Sequence, residues 1–201
     1  MSNPTENTAP AATAAGNKQK KAYSLAAFRI LVVEDYPFMS DLITSMLREF
    51  GVGHIVQAAS GNQAREMIMM FNGNEFSHNK IDVVLMDWLM PQGDGLSLLQ
   101  WIRGHELDSI RFMPAVLCSA FASEDVVTVG RDNGANEVLV KPLSATKLAA
   151  RLLHVIDKPR PFLKAAGYFG PDRRRRNADN HQGADRRLTA ENEVRQVHER
   201  I

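Results

Sequence analysis

The sequence predicts an α/β protein with a doubly wound, five-stranded parallel sheet formed by residues 25–157. Two observations predict this fold. Five short apolar runs alternate in strict order with five longer stretches whose apolar residues recur at helical spacing. The runs are apolar throughout rather than at every second position, which is typical of parallel strands that helices cover on both faces.

The predicted elements follow one another along the chain as strand, helix, strand, helix. The strands cover residues 28–33, 54–58, 81–86, 113–118 and 137–140. The helices cover residues 37–50, 61–71, 96–103, 123–133 and 144–156. Pro37 favours the start of the first helix, and Ser60, Ser123 and Ser144 are typical N-cap residues for three others. Gly134 is a typical residue to end the fourth helix.

The two ends of the chain differ from this region in composition. Residues 1–24 are polar and predict a disordered N-terminal arm, and residues 158–201 predict an extended basic tail. Residues 28–156 hold 10 basic and 15 acidic side chains, a net charge of −5, whereas residues 157–201 carry +4 and residues 1–27 carry +2. This asymmetry bears on partners and self-association rather than on fold.

Three interpretations of the tail remain open. In the first, the tail is an arm that is disordered or loosely packed on the body. In the second, it is a docking segment for a protein partner. In the third, it binds nucleic acid or another anion. The four arginines Arg173 to Arg176 favour the last, but no DNA-binding module accompanies them, so nucleic acid is not the expected partner. Thr189 is a candidate cap for a short C-terminal helix with Val194, Val197 and Ile201 on one face.

Stable docking of the tail on the body requires apolar anchors, because exposed ion pairs contribute only ~0–1 kcal/mol each. The candidate anchors are Phe162, Leu163, Tyr168 and Phe169. The opposite charges of body and tail predict that a docked tail lies near the carboxylate-rich edge of the sheet or along the fourth and fifth helices.

Composition excludes several classes of protein. The longest apolar runs are far shorter than the ~20 residues that a membrane-spanning helix needs. The polar N-terminus lacks the apolar segment of a secretory signal. The single cysteine, Cys118, rules out an intramolecular disulfide and fits a reducing compartment. We therefore expect a cytoplasmic protein that does not enter a membrane.

Polar residues follow the ends of four predicted strands. Asp35, Asp87, Ser119 and Lys141 occupy these positions, so the carboxyl edge of a parallel sheet brings them together. With Glu34 beside Asp35, three carboxylates meet there and repel one another unless a cation lies among them. Oxygen ligands of this kind suit Mg²⁺. A carboxylate nucleophile, Mg²⁺, a lysine and a hydroxyl together indicate phosphoryl transfer to an aspartate.

The motifs around these residues resemble those of the response-regulator receiver domain. They are Glu34-Asp35, Leu85-Met86-Asp87-Trp88-Leu89-Met90-Pro91-Gln92-Gly93-Asp94-Gly95, Ser119-Ala120 and Leu139-Val140-Lys141-Pro142. The resemblance covers residues 28–156 and implies the flavodoxin-like (βα)5 receiver fold. It implies that Asp87 accepts the phosphoryl group and that Ser119 and Lys141 contact it. The implied Mg²⁺ ligands are Glu34, Asp35, Asp87 and the backbone carbonyl of Leu89.

Two features depart from the family's common pattern. The switch position, three residues before the lysine, is often aromatic in the family and is Val138 here. The positions two residues after the aspartate and two after the serine, which tune hydrolysis of the phosphoryl group, are Leu89 and Phe121. Because both side chains are apolar and bulky, we expect them to hinder an attacking water.

The sequence therefore predicts a single-domain response regulator of a two-component phosphorelay. Its phosphodonor would be a histidine kinase or a histidine phosphotransfer protein, and its output would be protein–protein contact at the fourth and fifth helices, with a homodimer as one possible form. An enzyme that turns over an aspartyl-phosphate intermediate is an alternative, but Leu89 stands where such enzymes carry an acid/base carboxylate. A third alternative is a degenerate receiver that serves only as a binding module and is not phosphorylated. The intact acidic pair, Asp87 and Lys141 argue against it.

Overall fold

Five parallel strands form the central sheet of the computed structural model, which describes residues 24–74 and 76–173 and the backbone of residues 195–197. The strands are β1 (Arg29–Val33), β2 (His54–Ala58), β3 (Val83–Asp87), β4 (Ala115–Ser119) and β5 (Glu137–Val140). Their order is β2-β1-β3-β4-β5, and every neighbouring pair is parallel. The predicted doubly wound sheet is confirmed, and its order reverses between β1 and β3.

Six α-helices connect or flank these strands in the described part of the chain, and a short 3₁₀ helix (Leu25–Ala27) precedes β1. The α-helices are α1 (Pro37–Glu49), α2 (Gly61–Asn72), α3 (Gly95–Gly104), α4 (Asp108–Arg111), α5 (Glu124–Asp132) and α6 (Ala145–Asp157). The predicted caps are confirmed, since the hydroxyls of Ser60, Ser123 and Ser144 each accept a hydrogen bond from a backbone N–H in the first turn. Helix α4 was not predicted, so the predicted fourth and fifth helices correspond to α5 and α6.

The sheet buries a separate apolar cluster on each face. Leu31, Val84 and Leu117 point to the face covered by α2, α3 and α4, whereas Ile30 and Val116 point to the face covered by α1 and α6. Successive strand residues therefore enter opposite clusters, because side chains alternate along a strand. This alternation between two buried faces explains why the strands are apolar throughout. No helix of the described residues is long and apolar enough to cross a membrane.

The start of the tail forms a β-hairpin rather than a loosely packed arm. Strands β6 (Phe162–Ala165) and β7 (Tyr168–Pro171) are antiparallel, and Gly167 turns between them at a φ of 72°. The rings of Phe162 and Phe169 lie 5.0 and 5.1 Å from the ring of Phe112, which precedes β4. The interpretation as a disordered or loosely packed arm, one of the three left open, does not hold for residues 162–171, because aromatic burial offsets the entropy of ordering them.

The position of the hairpin also corrects an expectation. Phe162 and Phe169 are confirmed as anchors, but they pack at the amino ends of β4 and β5, away from the carboxylate-rich edge. The arginine that begins the basic run contributes as expected, since Arg173 pairs with Asp132 at the end of α5. The pair on α5 agrees with the predicted docking along the fourth and fifth helices. The alternative position at the carboxylate-rich edge is wrong for residues 162–173, because their apolar contacts lie at the opposite edge of the sheet.

Residues 195–197 form a strand, β8, rather than part of a helix. They pair antiparallel with β6, which becomes the middle strand of a three-stranded sheet ordered β7-β6-β8. The free edge of β6 offers backbone hydrogen-bonding groups, whereas an isolated short helix is marginal in water. The predicted helix is thus wrong over 195–197. The rest of that prediction, the arginines after Arg173 and the arm over 1–23 lie outside the described residues.

Candidate functional site

The carboxyl edge of the sheet brings the predicted site residues together. Glu34 and Asp35 directly follow β1, Asp87 ends β3, Ser119 ends β4 and Lys141 directly follows β5. The register aligns these ends, with Asp87 opposite Cys118 and Ser119 opposite Val140. The site lies where the strand order reverses, which is the usual ligand position in open α/β sheets.

Three carboxylates form the centre of the site. Glu34, Asp35 and Asp87 each present an oxygen, and these oxygens all lie within 4.8 Å of one another. Glu34 is buried, with 4% of its surface exposed, and the other two are half-buried. Burial raises the pKa of Glu34 above its ordinary value, and the nearby charge of Asp87 adds to this effect. Clustered carboxylate oxygens that leave room for water and phosphoryl oxygens fit Mg²⁺ as a ligand set.

Lys141 provides the positive charge beside this cluster. Its Nζ lies 2.8 Å from Oε2 of Glu34 and 3.1 Å from Oδ2 of Asp87. Burial alone would lower the pKa of Lys141, but its hydrogen bonds to the two carboxylates and their charges outweigh burial and raise the pKa. The ammonium group therefore stays charged at neutral pH and neutralises part of the acidic cluster.

Ser119 lies one strand away from Asp87 and is fully buried. Its hydroxyl oxygen accepts a hydrogen bond from the backbone N–H of Phe121 at 3.0 Å, and its carbonyl accepts one from the backbone N–H of Lys141 at 2.7 Å. Neighbouring Cys118 is buried, which raises its thiol pKa to about 12, so it remains a neutral thiol at physiological pH.

A close backbone approach at Gly95 shapes the site, although the sequence pattern indicated only that this glycine lies in a loop. The first residue of α3 lies so near Asp87 that an added Cβ would fall 2.1 Å from the Asp87 carbonyl oxygen. Its N–H donates to the carbonyl of Trp88 at 3.0 Å. Only glycine permits this approach. The signal in the sequence was present, but this loop holds two glycines, Gly93 and Gly95, and the sequence does not reveal which of them is sterically required.

The departures from the family pattern occupy distinct places. Leu89 and Phe121 are exposed beside the carboxylates, at 56% and 54% of their surfaces. Tyr36 and Phe38, which follow the acidic pair, are also exposed. Val138 is half-buried and packs against the core cluster beneath α2 and α3. The site thus combines a buried polar centre with an apolar rim.

An α/β domain with an acidic, lysine-paired cluster at the reversal of its strand order defines a receiver-type signalling module. A model of the response regulator receiver domain matches residues 30–153. The chain belongs to this family and is a two-component response regulator, a class whose receiver domains are phosphoacceptor switches.

Three known proteins illustrate the similarity. The chain is 28% identical over 130 residues to the chemotaxis protein CheY of Pseudomonas aeruginosa, covering 65% of this chain and 97% of that protein. It is 34% identical over 120 residues to the transcriptional regulatory protein PdtaR of Mycobacterium tuberculosis, covering 60% of this chain but only 52% of that protein. A Borrelia burgdorferi complex of CheX with CheY, BeF₃ and Mg²⁺ contains a similar chain with a TM-score of 0.56 and 28% identity, covering 64% of this chain and 89% of that one.

Proposed function

We propose that Asp87 accepts a phosphoryl group from a phosphohistidine of a histidine kinase or phosphotransfer protein, in the cytoplasm. The observation that carries this proposal is the Lys141 ammonium, 3.1 Å from the Asp87 carboxylate inside a cluster of three carboxylates. An Asp87 oxygen forms the new P–O bond while the P–N bond to the donor breaks and the imidazole nitrogen takes up a proton. The outcome is an acyl phosphate on Asp87.

The other residues support this step by balancing charge. Glu34, Asp35 and Asp87, with the backbone carbonyl of Leu89, would hold Mg²⁺, which when bound supplies positive charge for the phosphoryl oxygens. Lys141 would provide a second positive charge beside the phosphoryl group. The Ser119 hydroxyl would donate a hydrogen bond to a phosphoryl oxygen.

The phosphorylated chain acts as a switch rather than as an enzyme that turns over. Leu89 occupies the position at which a catalytic carboxylate would activate water, and its side chain has no proton to transfer. The exposed rim of Tyr36, Phe38, Leu89 and Phe121 offers the phosphodonor an apolar contact around Asp87. The surface formed by α5 and α6 is the proposed contact for a downstream protein target, and a second copy of the chain is the other candidate there. Nucleic acid is not a proposed partner.

Removal of the acidic pair tests the metal assignment. In a Trp101→Phe background, which leaves Trp88 as the sole tryptophan, adding Mg²⁺ should change the fluorescence. Glu34→Ala with Asp35→Ala should abolish that change, because two of three carboxylates are lost. Glu106→Ala with Asp108→Ala is the matched control, since these acidic residues lie before and within α4. An undiminished response in the Glu34/Asp35 variant would refute the assignment.

Polar substitutions on the rim test the role of Leu89 and Phe121 in slowing hydrolysis. We expect the acyl phosphate to last minutes to hours, because bulky apolar side chains beside it hinder an attacking water. The double variant Leu89→Asn, Phe121→Glu should shorten this lifetime about tenfold, equivalent to roughly 1.4 kcal/mol of barrier. Loss of phosphoryl is followed by intact mass after the donor is removed. Phe76→Glu, at a side chain 85% exposed, is the control, and equal lifetimes in all three proteins would mean that other residues set the rate.

A further inference from the structure

A glycine inside α5 lies beside Trp88, the residue that follows Asp87. Gly130 is buried within the helix, where glycine is less favourable than alanine by roughly 1 kcal/mol. A Cβ at Gly130 would lie 2.8 Å from Cγ2 of Val138 and 3.2 Å from both Cδ1 of Leu117 and Cζ3 of Trp88. The volume that an alanine methyl would need is already filled, so α5 packs here with no spare room.

Trp88 contacts both the acidic site and this helix. Its backbone N–H donates to Oδ1 of Asp87 at 2.8 Å and to the carbonyl of Cys118 at 2.7 Å. Its indole ring is half-buried, packs against the core cluster beneath α2 and α3, and reaches Gly130 through Cζ3. One residue therefore carries a hydrogen bond to the proposed phosphoacceptor and a van der Waals contact with α5.

Val138 cannot provide the same connection. Its branched side chain is short and stiff at χ1, and its Cγ2 already lies beside Gly130. A change of rotamer at Val138 would therefore not extend the side chain from α5 to the phosphorylation site. The Ser119 hydroxyl, the other group near Asp87 that could respond to a phosphoryl group, accepts a hydrogen bond from the backbone N–H of Phe121, three residues before α5, and serine has no ring that could pack against the helix. Trp88 is the large side chain that extends from the residue beside Asp87 to α5.

We propose that Trp88 couples phosphorylation of Asp87 to α5, through the packing of its ring beside Gly130, in place of an aromatic residue at position 138. The proposal rests on Asp87 being the phosphoacceptor. A phosphoryl group on Asp87 changes the charge and hydrogen bonding at the carboxyl oxygen that the Trp88 N–H contacts. Because the ring is packed tightly against Gly130, a displacement of Trp88 also displaces α5.

Hydrogen exchange of the α5 backbone amides tests this coupling. The full chain is compared with and without beryllium fluoride and Mg²⁺, a phosphoryl analogue whose binding is followed separately by ¹⁹F NMR. In the parent chain, exchange of residues 124–132 should change by about fivefold or more, the lower end of typical coupling between sites. Trp88→Leu should reduce this change to less than twofold at equal occupancy. Trp101→Leu, the matched control at the other tryptophan, should retain it.

A second variant decides the matter if Trp88→Leu binds the analogue poorly. Gly130→Ala alters only the α5 side of the contact and should reduce the response in the same way, whereas Gly104→Ala, where an added Cβ meets nothing within 4 Å, should not. An unchanged α5 response in Gly130→Ala, or in occupied Trp88→Leu, would overturn the proposal. So would a parent chain that binds the analogue without any change in α5. Failure of the parent chain to bind at all would instead count against Asp87 as the acceptor.

Discussion

Asp87→Asn is expected to abolish phosphorylation of this protein, the largest single effect on its function that we predict. The parent chain, incubated with a small phosphodonor and Mg²⁺, should gain the mass of one phosphoryl group. The asparagine variant should gain none, because an amide oxygen is a far weaker nucleophile than a carboxylate and no other described carboxylate combines a contact to Lys141 with a place at the end of β3. Intact mass spectrometry measures the effect directly.

The matched control for this experiment is Asp125→Asn. Asp125 is an exposed aspartate in the first turn of α5, so the substitution makes the same chemical change away from the acidic cluster. Its phosphoryl incorporation should equal that of the parent chain. Incorporation at the parent level in Asp87→Asn would show that another residue is the acceptor, and the assignment of the whole site would then fail.

Most of the site could be predicted because its residues follow strand ends. Apolar runs that stop at Asp35, Asp87 and Lys141 place these side chains at one edge of any parallel sheet, whatever the details of packing. What the sequence could not predict was the pairing within the cluster. Lys141 lies closer to Glu34 than to Asp87, and this depends on how deeply Glu34 is buried, which is a tertiary property.

The parts of the fold that were missed share a physical cause. Helix α4 has four residues, too few for a helical period to be visible in the sequence. The hairpin depends on contacts with residues far away in the sequence, since Phe162 meets Phe112, 50 positions earlier, and Gly170 lies against Gly134, 36 positions earlier. Local composition, which is basic and rich in turn residues, resembles that of a disordered tail. Such long-range packing overrides the local signal.

A buried arginine explains why the hairpin is an integral part of the domain. Arg103, at the end of α3, donates to the carbonyls of Gly134, Arg111 and Met113 and to the side chain of Asn136, each at 2.8 Å. Burial lowers its pKa to about 9, so it remains charged at neutral pH. The charge is solvated by these oxygens and by the ring of Phe162, whose centroid lies 5.1 Å from the guanidinium carbon. The hairpin thus shields a buried charge from water.

Phe162→Ala is therefore expected to destabilise the domain by about 3–5 kcal/mol, the usual cost of deleting a buried phenylalanine ring. Phe162 is 7% exposed and packs against Phe112, Phe169 and Arg103, so its removal leaves a cavity beside the buried guanidinium. Urea denaturation followed by circular dichroism gives the free energy of unfolding. Phe76→Ala is the matched control, because a ring that is 85% exposed should change this free energy by no more than about 0.5 kcal/mol. If the two variants unfold at the same urea concentration, the hairpin does not contribute to the stability of the domain, and residues 158–173 return to the status of a loosely attached tail.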